Sequence, residues 1–452
     1  MARTARSAVV IGAGWAGCSA AVTLAQAGCK VTLLEAARVV GGRARVVEAH
    51  GKPLDNGQHI LLGAYSATLG MLRQVGIDPG TALLNLPLQM RYPPASGGMD
   101  FLAPRLPAPL HLALALWRTS GLGRDDKMAL ARFSTTARWM DWRLHTDCSV
   151  AELLQRYDQT ERLTQLMWRP LCLAALNTPP ERASAQVFLN VLRDSLGASR
   201  ASSDMLLPRL DLSALFPQAA CNYLDSRGGT VRTGAKAGAV KQHNGGWMVD
   251  ASGAAVGGNW SVFADLVVVA TPPPAAAVLL GPHTTPALCA QLLGFEYEPI
   301  TTCYLQYAPT TALALPFYAL VDDPDRGHWG QFAFDRGQLD IGQLGLLAVV
   351  ISASAQASAL GQAALGAAVA SQLAAVFGRP ELASPLSVQL ITEKRATFAC
   401  TPGLVRPGND VGLTALALAG DYTACDYPAT LESAVRSGCG AARRLLSPEF
   451  DL

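Results

Sequence analysis

The start of the chain alternates short apolar runs with a stretch of small residues that has the length of a helix. Residues 7–11 read Ser-Ala-Val-Val-Ile, which is typical of a strand buried on both faces of a parallel sheet. An Ala-rich helix is expected to follow to about Ala27 and to end at Gly28. A second apolar run, Lys30 to Leu34, stops at Glu35. This order predicts a β-α-β unit and therefore an α/β protein.

Farther along, the pattern changes between helical and extended stretches. Residues 149–152 read Ser-Val-Ala-Glu, a capping box that predicts the start of a helix. Pro170 is expected to kink or end the helix that begins near Thr160, because proline has no N–H to donate. We predict strands at 266–270, 300–307 and 344–351, an Ala-rich helix near 355–377, and loops in the Pro- and Gly-rich clusters at 93–109 and 272–286.

The composition narrows the class of protein. Of the 452 residues, 50% are hydrophobic and only 15% are charged, which excludes a disordered chain and suggests an apolar interior, an apolar ligand or a membrane-facing surface. The net charge of +2 shows no basic excess, so we expect no nucleic-acid partner. The ten cysteines are scattered without a C-x-x-C pair. This spacing predicts no metal site and favours a reducing, cytoplasmic compartment. We also predict no transmembrane span, because no apolar run is long enough.

A glycine-rich loop follows the first predicted strand directly. Residues 12–17 read Gly-Ala-Gly-Trp-Ala-Gly, a G-x-G-x-x-G pattern between strand and helix, and Glu35 ends the second strand. Gly12 permits the tight turn, Gly14 lets the backbone approach a pyrophosphate, and Gly17 lets helix and strand pack closely. The helix N-terminus offers N–H groups to phosphates, and Glu35 is placed to accept from ribose hydroxyls. The unit therefore predicts a dinucleotide site.

The segment after Glu35 helps to distinguish between NAD and FAD as the dinucleotide. A glycine pair and an arginine, Gly41-Gly42-Arg43, bring a second backbone segment and a fork of donors to the pyrophosphate. With this E-x-x-x-x-x-G-G-R pattern the chain resembles the flavoprotein superfamily of amine oxidases and phytoene desaturases. The resemblance implies FAD as the cofactor. It also implies an α/β fold, in which an FAD-binding Rossmann-like domain of the glutathione-reductase type carries an inserted α+β substrate domain.

Further segments match this superfamily in the expected order. Residues 55–59 are similar to the segment beside the isoalloxazine ring, 228–241 to the strand that contacts adenine, and 266–273 to the return into the nucleotide domain. The resemblance puts Asp421 on the ribityl–pyrophosphate part of FAD, and Thr430, at the start of the last helix, on the flavin pyrimidine edge. The residues so assigned to FAD are Gly12, Ala13, Gly14, Trp15, Ala16, Gly17, Glu35, Gly41, Gly42, Arg43, Gly57, Gln58, His59, Ala237, Thr271, Gly420, Asp421, Thr430 and Leu431.

The same matches predict a discontinuous domain organisation. We expect the FAD-binding domain to comprise residues 1–65, 200–275 and 385–452. Two insertions, 66–199 and 276–384, would build the substrate-binding domain, and the first of them is expected to be mainly helical.

The middle of the chain points to one branch of the superfamily. Amine oxidases usually carry a lysine and an aromatic cage where this chain has Thr302 and Thr430, so amine oxidation is disfavoured. Residues 55–65 and 168–178 instead resemble the hydroxysqualene dehydroxylase family, also called squalene-associated FAD-dependent desaturases. That resemblance implies a long polyprenyl substrate and reductive removal of the hydroxyl of hydroxysqualene. Oxidative desaturation of phytoene or another carotenoid, and flavin binding without catalysis, stay open as alternatives. The reductant is not visible.

Removal of a hydroxyl needs an acid, and the sequence offers several candidates. His59 could lie near the flavin and donate a proton. Lys394 and Arg395 could hydrogen-bond either the leaving oxygen or the flavin. Asp55 and Asp426 are weaker candidates. Each of these residues could equally be structural, and His59 is the first choice.

One apolar segment has two interpretations. Residues 104–117 are apolar and are rimmed by Arg105 and Arg118. They could form a lip that faces the inner side of the cytoplasmic membrane and admits a polyprenyl chain, or they could be helix core.

Overall fold

The computed structural model describes residues 5–49, 51–253 and 258–447, so the outermost residues of the predicted FAD-binding ranges lie outside the described part. One sheet in these ranges is parallel. From edge to edge its strands are β10 (Thr230–Thr233), β2 (Lys30–Glu35), β1 (Ser7–Ile11), β14 (Leu266–Val269) and β20 (Leu416–Leu418). Apart from the edge strand β10, the strands are largely apolar because other elements pack against the sheet. The strand order reverses next to β1, and the carboxyl ends of the strands meet there in a crevice.

A second sheet is antiparallel. From edge to edge its strands are β16 (Phe317–Ala319), β17 (Phe332–Asp335), β18 (Leu346–Ile351), β15 (Tyr297–Gln306) and β19 (Ser387–Phe398). Strand alternation gives β18 two buried faces: Leu347 and Val349 pack in a cluster with Val369 and Leu373, whereas Val350 faces the main core. This is why β18 is apolar at every position.

The remaining strands form smaller sheets. They are β3 (Val46–Ala49) with β4 (Lys52–Asp55); β5 (Leu61–Leu62), β9 (Met205–Pro208) and β6 (Leu83–Leu86); β7 (Gln89–Arg91) with β8 (Asp100–Leu102); and β11 (Lys236–His243), β12 (Gly246–Gly253) and β13 (Gly258–Ala264).

Helices pack against the parallel sheet and build most of the first insertion, and strands β11, β12 and β13 also contact the parallel sheet. The helices are α1 (Trp15–Gln26), α2 (Ser66–Gln74), α3 (Pro79–Ala82), α4 (Leu110–Arg118), α5 (Arg124–Trp139), α6 (Val150–Arg156), α7 (Glu161–Leu163), α8 (Arg169–Leu176), α9 (Ala185–Leu192), α10 (Leu212–Leu215), α11 (Pro217–Ser226), α12 (Pro273–Leu280), α13 (Pro286–Leu293), α14 (Ala355–Ser358), α15 (Gln362–Phe377) and α16 (Leu431–Leu446). Helix α1 packs against α16 and α11. Within the residues described, no helix combines the length and the apolar character that a membrane span needs.

The predicted α/β fold class is confirmed, as is the capping box of Ser149 and Glu152 at the start of α6. Of the two outcomes expected at Pro170, an end of the helix is wrong. The helix continues but is irregular there, since a π-type turn at Thr164–Trp168 precedes α8, and such turns are where helices kink. A second local expectation is also wrong. The predicted loop at 272–286 contains α12, because proline suits the first turn of a helix.

Three other boundaries differ from the expectation. The predicted loop at 93–109 includes β8, and the Ala-rich helix is split into α14 and α15 at Gly361, where φ is +81°. The third stretch predicted for the FAD-binding domain begins at residue 385, yet β19 pairs with β15 in the antiparallel sheet. The chain therefore returns to the parallel sheet only after Phe398. Long-range pairing decides this boundary, and local composition carries no sign of it.

Candidate active site

A cavity of about 1310 Å³ opens at the carboxyl ends of the parallel strands. Ligand pockets usually measure about 300–1,000 Å³, so this one has room for more than one molecule. One end of the cavity is lined by residues that lie at or just after the end of a parallel strand, namely Gly12, Glu35, Thr271 and Asp421. The other end is apolar, and its wall includes Leu112, Phe133, Trp168, Phe188, Phe317 and Phe334.

The glycine-rich loop crosses the crevice between β1 and α1. Gly12 has φ +103°, and a Cβ there would lie 2.5 Å from the carbonyl oxygen of Ala270. A Cβ at Gly17 would lie 1.8 Å from the carbonyl oxygen of Gly12. Gly14 is the N-cap of α1, so the helix begins at the cavity and directs its N–H groups there. Backbone donors at a helix N-terminus are the arrangement that binds phosphate.

Glu35 organises the same loop. Its carboxylate accepts hydrogen bonds from the backbone N–H of Ala13 at 2.7 Å and of Ala37 at 2.8 Å. An ionised carboxylate offers about four acceptor positions, so two are left for the ribose hydroxyls that the sequence assigned to it. Ala237 lines this end of the cavity as well.

The second glycine segment lies directly on the first. The N–H of Gly41 donates to the carbonyl of Ala13 at 2.8 Å, and a Cβ at Gly42 would lie 3.1 Å from the Cα of Gly14. Arg43 extends from this contact and forms an ion pair of 2.6 Å with Asp421. The Asp421 side chain is buried, whereas that of Arg43 is 39% exposed. Two residues assigned separately to the cofactor therefore position each other.

The N-terminus of α16 is the third element directed at the cavity. Thr430 caps the helix by accepting from the N–H of Ser433 at 3.1 Å, and both Thr430 and Leu431 line the cavity. The helix comes close to α1 because Gly438 has no side chain: a Cβ there would lie 2.0 Å from the carbonyl oxygen of Ala16. The positive end of α16 therefore favours negative charge at this position.

Three buried polar atoms test whether the site fits a polar cofactor. His59 Nδ1, Thr271 Oγ1 and Thr302 Oγ1 have no hydrogen-bond partner within the described part of the chain, and all three residues line the cavity. Buried polar groups are nearly always hydrogen-bonded, so these atoms indicate a ligand that carries donors and acceptors. The N–H donors of the loop and the helix N-terminus, the Arg43 guanidinium and the Glu35 acceptor fit FAD.

The candidate acids differ in whether they reach the cavity. His59 lies in the cavity, but burial lowers the pKa of its imidazole to about 4, so the ring is neutral at pH 7 and holds no imidazolium proton to donate. Asp55 is buried outside the cavity wall and accepts from the N–H of Leu212 at 2.8 Å. Burial raises its pKa to about 6. Asp426 is exposed.

The prediction that Lys394 and Arg395 contact the substrate or the flavin is wrong, because neither residue lines the cavity and both are exposed. Their position follows from an irregularity in β19. Thr397 pairs with Glu298 and Glu393 pairs with Ile300, so three residues of β19 oppose one residue of β15. The bulge turns residues 394–396 out of the ladder. The Arg395 guanidinium lies over a tyrosine ring instead.

Two cavity residues were missed by sequence reasoning. The Tyr427 hydroxyl donates to the Asp194 carboxylate, and Arg193 donates to the same carboxylate at 2.7 Å. Asp194 and Tyr427 both line the cavity. Although burial opposes it, hydrogen bonds from Arg193 and Tyr427 hold the pKa of Asp194 below its ordinary value. Burial and Asp194 together raise the pKa of Tyr427 to about 12.

The apolar wall is built from aromatic side chains of distant segments. Trp168 makes edge contacts with Phe133 at 5.0 Å and Phe188 at 6.2 Å between ring centroids. Phe317 and Phe334 come from the antiparallel sheet, with ring centroids 5.2 Å apart. Such a wall suits a long apolar molecule.

The glycine loops, the Glu35 acceptor and the helix N-termini form a dinucleotide-binding site of the kind that flavin-dependent oxidoreductases contain. The family model described as flavin containing amine oxidoreductase matches residues 15–446, and the chain belongs to that family. The protein is an FAD-dependent oxidoreductase.

Within the family, its relatives include proteins named hydroxysqualene dehydroxylase. The chain is 31% identical to that of Rhodopseudomonas palustris, with 97% of this chain and 98% of the relative covered. It is 29% identical to that of Sinorhizobium fredii at the same coverage. The fold is shared with an oxidoreductase from Methanosarcina mazei (15% identity, TM-score 0.69, 97% of this chain and 100% of that one). Cyclohexylamine oxidase from Brevibacterium oxydans is also similar in fold (18%, TM-score 0.67, 98% and 99%).

Proposed function

We propose that this oxidoreductase reductively removes the hydroxyl group of hydroxysqualene and produces squalene. The observation that carries the proposal is that the dinucleotide-binding end and the aromatic wall line one cavity. A polyprenyl chain can therefore lie against the cofactor. The relatives named hydroxysqualene dehydroxylase, which align over nearly the whole chain, support the choice of substrate.

Reduced FAD, when bound, supplies the hydride. The chain's own residues would hold it: the loop at Gly12 and Gly14 would bind the pyrophosphate, Glu35 the ribose, and the N-terminus of α16 the edge of the flavin that carries negative charge. The substrate loses its hydroxyl at an allylic carbon, which leaves a delocalised cation. The aromatic wall keeps water away from that cation, because water would restore the alcohol.

Tyr427 and Asp194 provide the acid–base part. The C–O bond breaks with its electron pair on oxygen, and the Tyr427 proton converts the departing oxygen to water. The hydride that the carbon then requires would come from bound reduced FAD, and solvent restores the phenol. Because Arg193 keeps the Asp194 carboxylate ionised, its negative charge lies beside the cavity and favours the allylic cation. General-acid catalysis of this kind contributes about 10²–10⁴-fold in rate.

The second candidate is the oxidative desaturation of a carotenoid. Zeta-carotene desaturase of Zea mays is 28% identical over 44% of this chain, and the same cavity would accept such a substrate. The two functions differ in the direction of electron transfer.

One anaerobic experiment separates them. The protein is photoreduced and mixed with hydroxysqualene, and flavin absorbance and extracted lipid are followed together. Flavin reoxidation with one equivalent of squalene is the expected result. If the flavin stays reduced and oxidised protein is bleached by phytoene instead, the desaturase function replaces the proposal.

Two variants test the acid. Tyr427→Phe keeps the ring and removes only the hydroxyl, and it should slow single-turnover flavin reoxidation by about 10²-fold while FAD affinity stays unchanged. Tyr223→Phe, away from the cavity wall, is the matched control. Unchanged reoxidation in Tyr427→Phe would remove this residue from the mechanism.

A further inference from the structure

Helix α4 presents three different faces along nine residues. His111 and Ala115 are buried against the protein. Leu112 and Leu116 line the apolar end of the cavity. Leu110 and Trp117, by contrast, are 59% and 74% exposed.

An amphipathic helix normally buries its large apolar residues in the core and exposes polar ones. In α4 the outward face is apolar as well, and only the thickness of the helix separates it from the cavity. An exposed leucine and tryptophan on one short helix are typical of an interaction surface, since tryptophan prefers the boundary between an apolar layer and water.

Exposed positive charges flank α4 along the chain. Arg105 precedes α4, Arg118 is its last residue, and Arg124 begins α5; all three are exposed. Lys127 joins the two helices by donating from Nζ to the carbonyl of Trp117 at 2.9 Å. Two exposed acids lie among them: Asp125, which follows Arg124, and Asp100, which lines a small surface pocket with Arg105 and Arg118 and pairs with Arg91 at 2.6 Å. The cations outnumber these acids. A basic rim around an apolar face matches the chemistry of a bilayer with anionic headgroups.

We propose that α4 lies on an anionic lipid bilayer and forms the mouth of the cavity. Leu110 and Trp117 enter the interfacial layer, and Arg105 and Arg118 contact the headgroups. An apolar substrate then moves past Leu112 and Leu116 from the bilayer into the cavity without crossing water. This inference rests on the apolar cavity and holds for any long polyprene, so it does not depend on hydroxysqualene being the substrate.

The test is sedimentation of the FAD-loaded protein with vesicles of phosphatidylcholine, with and without phosphatidylglycerol. The protein should sediment with the anionic vesicles and should be released as salt is raised. The double variant Leu110→Gln/Trp117→Gln should lose at least about tenfold in partitioning, because two large side chains no longer enter the interface. Arg105→Gln/Arg118→Gln should bind both kinds of vesicle equally weakly.

The matched control is Leu293→Gln/Leu386→Gln, whose leucines are 62% and 74% exposed and do not line the cavity. It should sediment like the unchanged protein. The flavin spectrum of every variant reports whether the fold and cofactor site are intact. The proposal is overturned if the unchanged protein stays in the supernatant with both vesicles, or if Leu110→Gln/Trp117→Gln sediments normally. It is also overturned if these substitutions instead dissociate a dimer in solution, which would make the face an interface between copies. Failure of hydroxysqualene turnover, with vesicle binding intact, would affect the proposed function alone.

Discussion

The substitution Gly17→Ala adds one methyl group and should weaken cofactor binding while the protein still folds. Gly17 lies inside α1, where alanine is intrinsically favoured over glycine by about 1 kcal/mol. In the structure, however, a Cβ at Gly17 would lie 1.8 Å from the carbonyl oxygen of Gly12 and 3.2 Å from the Cβ of Ala270. The obstacle is backbone, which cannot rotate away as a side chain can.

The size of the effect follows from these distances. To reach an ordinary contact of about 3.4 Å, the loop at Gly12 must move by about 1.6 Å, and Ala270 blocks movement toward β14. Hydrogen bonds to phosphate tolerate only about 0.5 Å of variation in length. Losing two charge-assisted bonds, each worth about 1.5–3 kcal/mol, raises the Kd of FAD by roughly 10²–10⁴-fold.

The assay is a titration of apo-protein with FAD, followed by quenching of flavin fluorescence, with circular dichroism to verify the fold. Gly70→Ala is the matched control, because Gly70 is also helical and exposed, and a Cβ there would meet nothing within 4 Å. It should bind FAD normally and melt at the same or a slightly higher temperature. A Kd for Gly17→Ala within threefold of that of the unchanged protein would refute the steric argument.

Three further perturbations have defined expectations. Arg43→Gln leaves the Asp421 carboxylate buried without its cation. Because Arg43 is 39% exposed, we expect the free energy of unfolding in urea to fall by about 2–3 kcal/mol, less than the roughly 3–5 kcal/mol lost when a fully buried pair is broken. Adding Asp421→Asn should restore part of this stability. Glu35→Gln replaces one acceptor oxygen by a donor that faces a backbone N–H, so the Kd of FAD should rise about tenfold, whereas exposed Glu48→Gln should change nothing. The His59 pKa of about 4 lies below its unfolded value of 6.5, so the unfolded chain takes up a proton at a higher pH than the folded chain does. The contribution of neutral His59 to the free energy of unfolding is therefore complete above pH 6.5 and is lost as the pH falls toward 4. Urea unfolding above pH 6.5 and near pH 4 should show this loss of stability in the unchanged protein and a smaller loss in His59→Gln. Equal losses in the two proteins would mean that another group is responsible.

Much of the nucleotide-binding half was predictable because its signals are local. The strands β1 and β2, helix α1 and the acid at Glu35 occur within 35 residues, and each is specified by neighbouring side chains. The glycines are informative for the same reason, since a missing Cβ is a property of one residue. Helix α16 and its Thr430 cap are likewise local features.

The rest of the cavity depended on contacts that no local pattern records. Asp194 and Tyr427 are 233 residues apart, and a π-type turn at Arg193–Gly197 presents Asp194 to the cavity. Lys394 and Arg395 have the chemistry of catalytic residues, yet a bulge in β19 turns them to solvent.

The first β-α-β unit and its dinucleotide site can be predicted from the residues alone, because helical periodicity, glycine spacing and apolar strands act over a few residues. The resemblance of the motifs to known flavoproteins adds FAD and the family. Which polar side chains reach the cavity, and which face of α4 is exposed, depends on contacts between distant segments. Strand register and helix packing join segments far apart in the chain, and a shift of one residue in either exchanges a buried side chain for an exposed one.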